Sequence, residues 1–113
     1  MIKIFHNNRC SKSRCGIEVL ENSGKPYEIV KYLENTPSFD ELKDIISMLN
    51  IKPIGLVRKN EAIWKSDYKG KELSDTDIIN AMIENPKLIE RPIIINGNKA
   101  VIGRPPELIL DII

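Results

Sequence analysis

Cysteine is scarce: Cys10 and Cys15 are the only two in 113 residues. Two thiols are too few for the disulfide framework of a small secreted domain and too few for a four-cysteine zinc site, and the sole histidine, His6, cannot anchor a familiar zinc centre. An excess of one charge sign is also missing. Seventeen Lys and Arg against sixteen Asp and Glu leave a formal charge of +1, so the whole molecule generates no field that would gather nucleic acid or an anionic membrane. Any attraction for anions is local. No apolar run approaches the ~20 residues of a bilayer span, and the opening stretch, Met1 to Phe5, reads as a strand rather than a signal peptide. The expectation is a cytoplasmic protein. Neither a Gly-x-Gly-x-x-Gly nor a Walker-type loop is present, so no bound nucleotide, flavin or metal cofactor is expected. Aromatics make up 5% and hydrophobic residues 42%, a mix that at this length fits one globular domain, with a monomer as the expected state.

The residues that are there alternate between two periods. Ile2 to Phe5 is a short apolar-rich strand, His6 to Arg9 a polar turn, and Ser11 to Asn22 a helix with Ile17 and Leu20 at helical spacing. Gly24 supplies its C-cap, and Tyr27 to Tyr32 alternates as a strand should. Ser38 and Glu41 form a capping-box pattern ahead of Phe39, Leu42, Ile45, Ile46 and Leu49, which share one helix face. Ile54 to Asp67 predicts one or two brief helical turns around Trp64, and the charged run Lys65 to Glu72 predicts a solvated loop. Ser74 and Asp77 open a further helix with Ile78, Ile79, Met82 and Ile83 as its buried stripe and Pro86 beyond its end. Pro92 to Ile95 and Ala100 to Ile102 flank a turn at Asn96 to Lys99 and make a hairpin, after which Leu108, Ile109, Ile112 and Ile113 fall at helix-like positions.

A βαβ unit, a hairpin and a final helix can share one four-stranded mixed sheet flanked by helices. The predicted class is therefore α/β, thioredoxin/glutaredoxin-like, with a core at 1–34 and 87–113 and a helical insertion at 38–85 between strands 2 and 3. In that architecture a cysteine in the first strand-to-helix loop meets a proline opening the third strand. Cys10 and Pro92 hold those places.

Cys10 stands where free backbone N–H groups and the positive end of the helix dipole favour a thiolate, with Arg9, Lys12 and Arg14 close by. This predicts a low-pKa nucleophile; the other reading is a buried cysteine acting as a small hydrophobe. Cys15 lies five residues on, about 140° around the helix and beyond the ~4.4–6.8 Å Cα spacing of a disulfide. It reads as a partly buried helix residue, or as a resolving thiol after local rearrangement. Ser13 takes the position where dithiol oxidoreductases have their second cysteine, so a second thiol comes from outside, such as glutathione. His6 either tunes the thiolate or fixes the loop, and Asn7, Asn8, Ser11 and Ser13 supply donors around it. Of seventeen basic residues only five are arginine, and Arg91 and Arg104, each followed by a proline, can approach the cysteine loop from the hairpin. Together with Arg58 they would make a fork of guanidinium groups suited to a tetrahedral oxyanion; the other reading of any one of them is a surface ion-pair partner.

Several ordered segments carry a resemblance: His6-Asn7-Asn8-Arg9-Cys10-Ser11-Lys12-Ser13-Arg14, Tyr32-Leu33-Glu34-Asn35-Thr36-Pro37, Leu56-Val57-Arg58-Lys59, Leu88-Ile89-Glu90-Arg91-Pro92-Ile93 and Gly103-Arg104-Pro105-Pro106-Glu107. Together they resemble the glutaredoxin-linked arsenate reductase family over essentially the whole chain. The resemblance implies reduction of arsenate to arsenite. Cys10 would form a thiol–arsenate adduct, glutathione would displace it toward a mixed disulfide, and glutaredoxin would restore the thiol. It further implies that Arg58, Arg91 and Arg104 bind the oxyanion and keep Cys10 ionised, that His6 is the histidine of the cysteine loop, and that the Ser13 hydroxyl can bond the thiolate. Two departures stand out: Asn8 occupies a position that is usually proline, which predicts a less rigid loop, and Cys15 has no counterpart role.

Two alternatives remain at the level of sequence. An Spx-like redox regulator that binds RNA polymerase shares this fold, but its switch needs a Cys-x-x-Cys pair, and Ser13 breaks it. A monothiol oxidoreductase acting on another oxyanion, or on glutathionylated protein, keeps Cys10 and changes the substrate.

Overall fold

The short strand β1 (Ile2–Phe5) shows why the chain begins as it does: Ile2, Ile4 and Phe5 are buried, and only Lys3 faces solvent. A computed structural model describes residues 1–7 and 9–113. Asn8, and with it the expectation of a less rigid loop, lies outside the described residues. The chain divides into two compact units, one of residues 1–35 with 91–113 and one of residues 36–90.

In the first unit β1 runs into helix α1 (Ser11–Ser23), which ends at Gly24 with φ 72°, a left-handed conformation that glycine adopts without cost. Strand β2 (Tyr27–Val30) returns parallel to β1, while β3 (Ile93–Asn96) and β4 (Lys99–Ile102) form the hairpin, β3 lying antiparallel to β1. The strand order is β2-β1-β3-β4. This is the expected four-stranded mixed sheet, and its two central strands are the most buried. Ile2, Ile4, Leu20, Ile94 and Ile109 form one buried cluster, to which Ile17, Val101, Ile112 and Ile113 add partly buried surface. Each such side chain taken fully out of water contributes about 1.5–3 kcal/mol.

Several features of this unit differ from the sequence reading. β2 stops at Val30 rather than Tyr32, because the amides of Glu34 and Asn35 both turn back to the Lys31 carbonyl, and Tyr32 swings into full burial. As an edge strand, β2 leaves Ile29 exposed where alternation predicts cover. The hairpin turn is tighter, since Asn96 and Lys99 pair with each other across Gly97 and Asn98. The last element is a 3-10 helix (Pro106–Asp111) whose only buried side chain is Ile109.

In the second unit, helices α2 (Phe39–Leu49) and α4 (Asp75–Glu84) both open with reciprocal capping boxes, Ser38 with Glu41 and Ser74 with Asp77. Leu42, Ile45 and Ile46 face Ile78, Ile79, Ala81 and Met82 within this unit, while Ile83 is only half-buried. Helix α3 (Ala62–Asp67) carries buried Trp64 and takes in Lys65 to Asp67, so only the later part of the charged run is loop. Short 3-10 turns at Pro53–Leu56 and Pro86–Leu88 lead into a Val57–Ile89 bridge, where the Arg58 amide reaches the Leu88 carbonyl at 2.7 Å.

Candidate active site

The end of β1 and the start of β3 lie side by side, because Phe5 pairs with Ile93. One register pair therefore brings the His6–Cys10 loop and the Arg91–Pro92 junction together across 81 residues of sequence. The β1 ladder continues for one more bond, from the His6 amide to the Val30 carbonyl at 2.9 Å. The loop is then held by its own polar groups. Asn7 Oδ1 accepts from the Arg9 amide at 2.9 Å, an Asx-type turn, and the Asn7 carbonyl accepts from the Cys10 amide at 3.0 Å. Ser13, fully buried in the first turn of α1, reaches back: its Oγ lies 2.6 Å from His6 Nδ1 and accepts from the Asn7 amide at 3.0 Å. Ser13 and His6 thus brace the loop from behind.

Cys10 is the N-cap of α1 and only 8% exposed. Burial alone pushes a thiol up, yet Cys10 is lowered from 9.0 to about 7, because a hydrogen bond from Arg91, the charge of Arg91 and the amides of Ser13 and Lys12 outweigh it. Arg104 completes the setting. Its Nη2 lies 3.8 Å from Cys10 Sγ while its Nε donates to the Arg91 carbonyl at 2.8 Å. Arg91 itself is 9% exposed; burial works against its charge, but Cys10 and Tyr32 more than offset this and raise its pKa. Both arginines precede a cis peptide, at Pro92 and Pro105. Pro92 is wedged in place: a Cβ added at Gly16 would meet its Cγ at 3.0 Å, and one added at Gly103 would meet it at 3.1 Å. A buried sulfur anion between two guanidinium groups, on a helix N-terminus, is built to attack an electrophile that arrives with negative charge.

Residues 5–112 match the ArsC family. The chain belongs to that family. Among its relatives, a protein of Escherichia coli K12 named as the uncharacterized protein YfgD is 41% identical over 99% of this chain and 96% of its own length. The arsenate reductase of Haemophilus influenzae is 42% identical over 97% of each chain. Among solved structures, the arsenate reductase from Vibrio cholerae superposes with a TM-score of 0.94 at 42% identity, covering 99% of this chain and 97% of that one.

Within this ArsC-family chain the expected site residues fall into three groups. Cys10, Arg91, Arg104 and Pro92 come together directly. His6 and Asn7 are both tied to the Ser13 hydroxyl, and the Ser13 group that lowers Cys10 is its backbone amide. Arg58 belongs to the second unit, where Nη1 donates to Glu61 Oε1 at 2.5 Å and Nε lies 3.5 Å from Glu90 Oε1. Cys15 is half-buried, and both thiols are free. Sequence reasoning gave Tyr32 no role, although it sits in a quoted motif; its burial against Arg91 depends on where β2 ends. Among the described residues no cluster of three or more His, Cys, Asp or Glu is placed to hold a metal, and no helix is long and apolar enough to cross a membrane.

Proposed function

We propose that this chain reduces arsenate to arsenite, with Cys10 as nucleophile and a small thiol, glutathione, as first reductant. The observation that carries the reading is the Cys10 thiolate, with a pKa of about 7, held between Arg91 and Arg104. Dihydrogen arsenate docks its oxygens on the two guanidinium groups, and the Cys10 thiolate displaces one hydroxyl, which takes up a proton from solvent and leaves as water; the product is Cys10–S–AsO3H⁻. A thiol RSH then attacks the Cys10 sulfur. The S–As bond breaks with its electron pair going to arsenic, As(V) becomes As(III), the thiol proton moves to an arsenite oxygen, and Cys10–S–S–R remains. Exchange with a glutaredoxin thiol returns Cys10–SH and moves the disulfide to that protein. Arg91 and Arg104 act at each stage by stabilising anionic sulfur or anionic oxygen, which removal of one such donor typically reduces by about 10²–10³ in rate. The cytoplasm, where small thiols are kept reduced, suits this cycle.

The similarity to arsenate reductases at 42% identity over nearly full length supports the choice of arsenic among oxyanions. The experiment is arsenite formation from arsenate by purified protein with glutathione, glutaredoxin and a recycling system, beside Cys10→Ser. Turnover in the wild type and none in the variant is the expected result. An inactive wild type whose Cys10 still ionises near neutral pH would overturn arsenate as the substrate.

A further inference from the structure

A cavity of about 400 Å³ opens beside the cysteine loop, walled by His6, Asn7 and Arg9 from the loop and by Lys31, Leu33 and Glu34 from the turn after β2. Neither Arg91 nor Arg104 lines it, so it is distinct from the face of Cys10 that receives the oxyanion. Arg9 and Lys31 are cations, Glu34 is an anion, and none of the three forms an ion pair with another described residue. Leu33 adds apolar surface that is 44% exposed. Charges of both signs left unmatched around one cavity suit a ligand that carries both signs itself: a carboxylate for Arg9 and Lys31, an ammonium for Glu34, and an aliphatic stretch over Leu33.

The chemistry of the site asks for such a visitor. Cys15 is five residues along α1 from Cys10, about 140° around the helix, and both thiols are free, so the second sulfur comes from solution. Arg9 is the residue next to Cys10, their Cα atoms ~3.8 Å apart, and an extended tripeptide reaches ~10 Å. A peptide anchored in the cavity therefore has length to spare to lay a thiol against Cys10.

We propose that this cavity is the docking site of the thiol co-substrate, a small zwitterionic peptide thiol held by Arg9, Lys31 and Glu34. The proposal rests on the reductase reading above, and its test separates the two. Calorimetric titration with S-methylglutathione, which docks but cannot react, is expected to show binding to the intact protein that Lys31→Glu weakens by about tenfold or more, the loss of one charge-assisted contact. In turnover, the ratio of kcat/KM with glutathione to that with 2-mercaptoethanol is expected to fall about tenfold in Lys31→Ala and in Glu34→Ala. Circular dichroism establishes that each variant is folded. No binding of S-methylglutathione to the wild type, or an unchanged ratio in both variants, would overturn the docking site. If Lys31→Glu altered only the dependence on glutaredoxin, the cavity would be a protein-docking surface instead and the proposal would fall. Binding of S-methylglutathione without arsenite formation would uphold the cavity and sink the arsenate reading alone.

Discussion

Replacing Arg91 by methionine keeps an unbranched side chain of similar reach while removing the hydrogen bond and the charge that act on Cys10. What remains is burial, which pushes the thiol up, opposed only by the Ser13 and Lys12 amides, so the Cys10 midpoint is expected to rise from about 7 toward the ordinary 9.0. At pH 7 a group with a pKa of about 7 is about half thiolate; a rise of roughly one unit leaves about one tenth, and a further unit about one hundredth. The rate of iodoacetamide alkylation at pH 7, measured in a Cys15→Ser background so that one thiol reports, is expected to fall about fivefold or more. Its pH profile should shift to the alkaline side. Arg91→Lys, which keeps the charge and loses the planar fork, should fall between the two. The same shift links ionisation to stability. Because the folded chain holds Cys10 as thiolate more readily than the unfolded chain does, unfolding takes up a proton between about pH 7 and 9. Stability should therefore rise with pH across that window, and Cys10→Ser should lack the rise. An Arg91→Met protein whose alkylation midpoint matched the wild type would refute the assignment of Arg91 as the group that ionises Cys10.

Further predictions concern other parts of the chain. Arsenite formation should vanish in Cys10→Ser and persist at near wild-type rate in Cys15→Ser, and equal losses in the two would make Cys15 a resolving thiol. Gly16→Ala places a methyl 3.0 Å from Pro92 Cγ and 3.2 Å from Ile4 Cδ1, an overpacking expected to cost about 1–3 kcal/mol in urea unfolding; a variant as stable as the wild type would show that the helix shifts freely. Arg58→Ala, which removes the pairing with Glu61 and Glu90, should leave the Cys10 alkylation midpoint in place; a shifted midpoint would show that Arg58 also acts on the sulfur.

What the sequence made legible was mostly local. The capping box at Ser38, the helix start at Ser74, the Gly24 cap and the β-rich runs of the hairpin are short-range signals, and each appears within a residue or so of where it is expected. The misses arise where tertiary context decides. Tyr27 to Tyr32 alternates well enough for six residues, but only a position at the sheet edge and the turn at Lys31 end the strand at Val30 and bury Tyr32. The spacing of Leu108, Ile109, Ile112 and Ile113 suits an α-helix and a 3-10 helix alike; the shorter-pitched form buries Ile109 and leaves Leu110 58% exposed. At the site, the residue types were legible and their roles less so. Ser13 was read as a hydroxyl for the thiolate, whereas its hydroxyl faces His6 and Asn7 and its amide faces the sulfur, a distinction made by backbone direction that no residue pattern encodes.

The reach of one strand pair across the chain has a consequence for how the protein comes into being. Cys10 leaves the ribosome early, but Arg91 and Arg104 belong to the last quarter of the chain, and Phe5 can pair with Ile93 only after both exist. Until then Cys10 has lost the contacts that lower it, and titrates as a common thiol, mostly protonated at neutral pH. Since the thiolate is the form that oxidants and electrophiles attack, the nascent chain carries its nucleophile in a muted form and arms it with the closing of the sheet. Reactivity is in that sense a checkpoint: a truncated or misfolded copy keeps the cysteine and lacks the chemistry.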